Sequence, residues 1–117
     1  MMNMTNNPIA LLFVLTGLTI VVAGLLMHKF PPKKINNLYG YRTKRSKNSQ
    51  ESWEFAQKYS ANQLAIYGSI TGLIGLALLF IPINPTNAAV IISLIVIITL
   101  IIIPIVLTEK ELKKRFE

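Results

Sequence analysis

The sequence has no cysteine, and its single histidine is His28. Without cysteine there is no disulfide, no thiolate nucleophile and no cysteine-based metal site. With one histidine and no paired acids, neither a Ser-His-Asp set nor a metal cluster can be assembled. No enzymatic activity, cofactor or metal is therefore expected. His28, beside Lys29 at the edge of an apolar run, reads as a polar side chain reaching for the membrane surface.

Charge is also missing from three long stretches, 9–27, 64–83 and 88–107, none of which holds Asp, Glu, Lys or Arg. At about 1.5 Å per helical residue, each spans about 30 Å, the thickness of a hydrocarbon core. The expected fold is all-α: three transmembrane helices forming a single membrane domain over 1–117. The absence of an acid within the spans argues against a proton- or ion-coupled transporter or a small multidrug exporter. It leaves little room for a soluble domain. The 28–63 connection is the only sizeable extramembrane segment, and it looks too short and polar to hold a core of its own.

Basic residues are absent from one side. The 12 Lys and Arg residues fall in the 28–63 connection or after the third span, and none lies in the N-terminal tail or in 82–87. The positive-inside rule then places the N-terminus outside and both the long connection and the C-terminus inside. The net charge of +7 is accounted for by this orientation and by contact with anionic lipid, so no nucleic-acid partner is expected. The tail before Pro8 lacks the basic region of a signal peptide, so the first span reads as a retained helix in a multi-pass protein.

Pro8 suits a first helical turn, and Pro31-Pro32 ends the first helix. Gly17 and Gly24 share a face of that helix, with Ile20 and Val21 beside Gly24. The second span is richer in small residues, with Gly68-x-x-x-Gly72 at the spacing that lets helix backbones approach. A packing seam between spans one and two is expected, in preference to a homodimer through Gly68 and Gly72; the oligomeric state itself is left open. The third span, nearly all Ile, Val and Leu, reads as lipid-exposed, with Pro104 a candidate kink. A turn over 82–87 joins spans two and three.

Within the connection, Asn48 followed by Glu51 suggests a helix N-cap. No Gly or Pro interrupts 49–63, so a helix is expected there, either lying on the membrane surface or continuous with the second span. Trp53, Phe55 and Tyr59 suit the interfacial zone. The candidate binding residues are Pro32, Asn36, Gly40, Tyr41, Arg42, Thr43, Ser46, Asn48 and Trp53. Gly40 permits a backbone conformation that other residues resist, and it precedes an arginine with a fixed fork of donors. Such a turn can aim Arg42 at carboxylates, helix-end carbonyls or lipid phosphates; equally, it can tie helix ends together.

These residues, with Gly40-Tyr41-Arg42-Thr43 and Trp53 eleven positions after Arg42, resemble the signature of the SdpI/YfhL family. The resemblance implies a bacterial plasma-membrane immunity protein that protects its producer against a secreted peptide toxin. In the best known members it also implies capture of a cytoplasmic repressor at the membrane. Lys44 departs from the proline common there, and the longer members carry an additional N-terminal membrane half. The expected function is envelope protection by binding a toxin or shielding its target. The alternatives are a signalling anchor that sequesters a soluble regulator, and a holin-like pore former, against which the absence of a polar stripe in the third span argues.

Overall fold

The first helix begins where a side chain can close its open end. The computed structural model describes residues 7–117, and in it Asn7 Oδ1 accepts from the Ala10 amide at 3.1 Å. Pro8, whose missing N–H costs nothing in a first turn, opens α1 (Pro8–Lys29). The residues before Asn7, which form the leader read as lacking a basic region, lie outside the described residues. The helix stops before Pro31-Pro32. A single 3₁₀ turn at Ser46–Asn48 precedes α2 (Gln50–Leu78), and α3 (Asn87–Phe116) completes the chain.

All three helices are long and apolar enough to cross a membrane, and the described residues contain no strand. The helix expected over 49–63 is continuous with the second span. Its cap is one residue later than the sequence suggested. Asn48 lies in the 3₁₀ turn, and Ser49 caps α2 by accepting from the Ser52 amide at 3.0 Å. Ser52 Oγ answers by accepting from the Ser49 amide at 3.0 Å, so the reciprocal box uses two serines and leaves Glu51 exposed. A 3₁₀ turn already holds Asn48, whereas Ser49 has the extended backbone an N-cap needs.

α2 is the central helix. It packs along α1 and more sparingly on α3, while α1 and α3 barely touch. Glycine sets the α1–α2 approach. A Cβ on Gly17 would fall 2.3 Å from the Gly72 nitrogen, one on Gly24 would fall 2.9 Å from the Ala61 carbonyl oxygen, and one on Gly75 would fall 2.5 Å from the Val14 nitrogen. Gly72 is different: the nearest atom to a Cβ there is Gly17 Cα at 3.9 Å.

At the end remote from the basic loop, Ile9, Phe13 and Ile97 bury together. Asn7, fully buried, donates from Nδ2 to the carbonyls of Leu78 at 2.8 Å and Ile81 at 3.1 Å. One side chain thus caps the start of α1 and satisfies carbonyls at the end of α2. α3 exposes Ile91, Ile92, Ile95, Ile98 and Val106, the surface expected of a lipid-facing helix. Pro104 lies inside α3, which continues past it, and Thr108 Oγ1 donates to the Pro104 carbonyl at 2.7 Å.

The long axis measures 52 Å, more than the ~30 Å of a hydrocarbon core. The excess is the charged end, where the start of α2 and the last turns of α3 frame the 30–49 loop. Contrary to its polar sequence, this segment does bury a nucleus. Trp53, Ala56 and Gln57 are almost fully enclosed, because α2 supplies one wall and the loop folds back on it. Trp53 is therefore an anchor beneath the loop rather than a ring at the lipid surface.

Candidate functional site: a loop clamped between two helix extensions

The loop is assembled from side chains that replace missing backbone partners. Asn36 Oδ1 accepts from the amides of Leu38 at 2.9 Å and Tyr39 at 2.8 Å, which closes a tight turn. Tyr39 donates its hydroxyl proton to the Phe30 carbonyl at 2.8 Å. Trp53 Nε1 donates to the Pro32 carbonyl at 2.6 Å, so the chain leaving the Pro31-Pro32 break is held against α2.

Gly40 has φ +106°, the left-handed region that other residues resist. Space requires glycine as well, since a Cβ would lie 2.5 Å from Gln57 Oε1 and 2.6 Å from Pro32 Cγ. Next to it, Gln57 grips the Tyr41 backbone at both groups. Its Oε1 accepts from the Tyr41 amide at 2.7 Å, and its Nε2 donates to the Tyr41 carbonyl at 2.8 Å. Ser46, fully buried, has one hydroxyl proton within reach of the carbonyls of both Tyr41 at 3.1 Å and Thr43 at 2.9 Å, and its Oγ accepts from the Thr43 amide at 2.8 Å.

The other wall is Glu109, where α3 leaves its apolar run. Tyr41 donates its hydroxyl proton to Glu109 Oε2 at 2.6 Å, and Thr43 Oγ1 donates to the same oxygen at 2.8 Å. Arg45 lies 3.5 Å from Glu109 Oε1 and 2.7 Å from Glu117 Oε2. Burial, then the Glu109 carboxylate, push the Tyr41 hydroxyl above the usual tyrosine range; it remains a donor throughout the neutral range. Beside this cluster, Phe55 stacks on Tyr59, meets Phe116 edge-on at 5.9 Å, and lies under the Arg115 guanidinium at 4.5 Å.

Pro32, Gly40, Tyr41, Thr43, Ser46 and Trp53 thus converge on one clamp, with Asn36 shaping its rim. Arg42 and Asn48 do not join it. Arg42 is exposed and donates to the Asn37 carbonyl, leaving most of its fork free. Asn48 is exposed and lines an open cleft of about 470 Å³ with Lys44, Arg45, Glu109 and Glu117. The arginine that pairs with carboxylates is Arg45, not Arg42. Gln57 and Glu109 were absent from the sequence candidates. Glu109 had one available signal: it is the first charged residue after Lys58.

Among the described residues no group of His, Asp and Glu could hold a metal ion. The arrangement offers a rigid loop presenting Leu38, Tyr39 and Arg42 outward.

Three apolar spanning helices with a clamped basic loop at one end define a multi-pass helical membrane protein. The chain belongs to the SdpI/YfhL protein family, whose pattern matches residues 33–108. That match takes in the loop residues from Gly40 to Trp53 and Gln57, and stops one residue short of Glu109. The chain is also 39% identical over 103 residues to the uncharacterized protein YfhL of Bacillus subtilis (strain 168), covering 85% of this chain and 87% of that protein. No solved structure matches the chain.

Proposed function

We propose that the chain is an immunity-type protein of the bacterial plasma membrane that protects the envelope by binding an amphipathic peptide toxin. Family membership supports the immunity class. The observation that carries the binding reading is the exposed rim of the clamped loop. Leu38 is 91% exposed, and Ile35 and Tyr39 are open beside Arg42 and Lys34. Apolar side chains held out next to free cations, on a loop whose backbone is fixed from two sides, suit a peptide that carries both apolar and acidic groups. Rigidity matters because a loop already ordered loses less conformational entropy on binding. Protection then requires no catalysis: the toxin is held at the membrane surface, away from its target. A cytoplasmic repressor as a further partner rests on the family resemblance alone.

The test is survival of a sensitive strain expressing variants, challenged with a candidate secreted toxin, with membrane abundance measured in parallel. Leu38→Asp and Arg42→Ala are expected to abolish protection at normal abundance, since neither side chain supports the clamp. Arg42→Lys is expected to fail nearly as badly, because lysine keeps the charge but loses the planar fork. Full protection by Leu38→Asp and Arg42→Ala together would remove the rim from the mechanism.

A further inference from the structure

A second polar pocket lies on the α1–α2 seam, away from the clamp. It has a volume of about 160 Å³ and lies between the end of α1 and the middle of α2, lined by His28, Lys58 and Asn62 with Met27 and Pro31. Each of the three polar side chains can donate a hydrogen bond, and no carboxylate lines the space. Among the described residues, Lys58 forms no ion pair. This distinguishes it from the cleft beside the clamp, where Glu109 and Glu117 already neutralise Arg45. The acid nearest in sequence, Glu54, lies one turn before Lys58 on α2 and accepts from Gln50 Nε2 at 3.3 Å.

A separate apolar groove lies farther along the same seam. It has a volume of about 410 Å³, a floor of Gly17, Gly68 and Gly72, and walls that include Leu18, Val21, Ser69 and Leu73. The helical period places the two cavities on one side of the seam. At about 100° per residue, Leu18, Val21 and His28 fall within roughly 80° of one another on α1. Lys58, Asn62, Ser69 and Leu73 fall within roughly 60° on α2 by the same period. His28 stands about 15 Å along α1 from Leu18, close to half of a hydrocarbon core. The seam thus has donors at membrane-surface depth and, below them, a trough one leaflet deep. The trough exists because glycine floors it.

We propose that this seam binds one anionic phospholipid, its phosphate held by Lys58, His28 and Asn62 and one acyl chain lying in the glycine-floored groove. Basic pockets between membrane helices take anionic headgroups. A lipid also fits the mixed chemistry better than a second copy of this chain, because a partner helix would fill the groove and leave the donors unanswered. The assignment is independent of toxin binding.

The experiment is native mass spectrometry of detergent-purified, delipidated full-length protein titrated with phosphatidylglycerol. One phosphatidylglycerol per chain is expected at saturation, with phosphatidylcholine of the same chain length binding at least about fivefold more weakly. Lys58→Gln is expected to weaken phosphatidylglycerol by about fivefold, while Lys113→Gln, an equal loss of charge elsewhere, leaves it unchanged. Ser69→Phe, which intrudes into the groove, is expected to weaken it too, and glycerol phosphate, which lacks acyl chains, is expected not to bind. Elution volume and helical content check that each variant is folded; Lys58 is exposed, so its replacement does not endanger folding. Equal losses for Lys58→Gln and Lys113→Gln would overturn the proposal in favour of diffuse charge attraction. So would equal binding of phosphatidylcholine, a lipid-free dimer that disappears with Ser69→Phe, or binding of glycerol phosphate as tight as the lipid.

Discussion

Gln57 does for the loop what a neighbouring strand would do in a sheet: it pairs with both backbone groups of one residue. Replacing it with leucine keeps the volume but leaves the Tyr41 amide and carbonyl without those partners. A cost of roughly 2 kcal/mol is expected, read as a lower thermal midpoint in detergent and faster proteolysis within 33–45. Glu109→Ala is expected to act comparably, at about 2 kcal/mol, since one oxygen serves both Tyr41 and Thr43. Arg45→Ala is expected to change the midpoint little, because its ion pairs lie at the surface. A Glu109→Ala protein as stable as the parent would mean that α3 does not hold the loop. The Gly40-Tyr41-Arg42-Thr43 run could be read as a built turn because a glycine beside bulky neighbours limits the conformations available. What it is built against could not be read, since Gln57 and Glu109 lie 16 and 68 residues from Tyr41. Arg42 drew notice by its place in the motif, yet the carboxylate partner went to Arg45, three residues on.

At the scale of elements, the spans were legible because a bilayer leaves helices of a narrow length as the available solution. Their continuity beyond the membrane was less so. The 49–63 stretch has no breaker, but only packing against the loop decides that it extends α2 and does not lie flat. The cap was misplaced by one residue because Asn48 and Ser49 are both good N-cap types, and the choice between them depends on the 3₁₀ turn before them. The glycines carry a finer prediction than a motif does. Gly17→Ala and Gly75→Ala push a methyl into backbone and are expected to cost about 1–3 kcal/mol each. Gly72→Ala, despite sitting in the G-x-x-x-G spacing, meets nothing closer than 3.9 Å and is expected to be near neutral. Thermal unfolding of the three purified variants checks this. A loss at Gly72→Ala equal to that at Gly17→Ala would show that the helices approach more closely than described.

For the whole molecule, the asymmetry of charge proposes an orientation that the helices alone do not decide. Every lysine and arginine lies at the end that carries the clamp, and the 82–87 turn at the other end has none. Translocating the basic end would carry the 28–63 connection and its cations across the membrane against the usual bias. The clamp then sits on the cytoplasmic side and the Asn7 cap near the outer surface. Single cysteines test this, and the sequence offers a clean background because it has none of its own. Asn84→Cys, in the exposed turn, is expected to react with an impermeant thiol reagent added to intact cells. Lys47→Cys, exposed but not part of the α2 cap, is expected to react only after the cells are opened. The orientation also decides how a toxin reaches the rim. With the clamp inside, an extracellular peptide meets Leu38 and Arg42 only after it has entered the bilayer and crossed to the inner face. Labelling of Lys47→Cys in sealed cells would reverse the topology, and the rim would then meet the peptide before it enters the membrane.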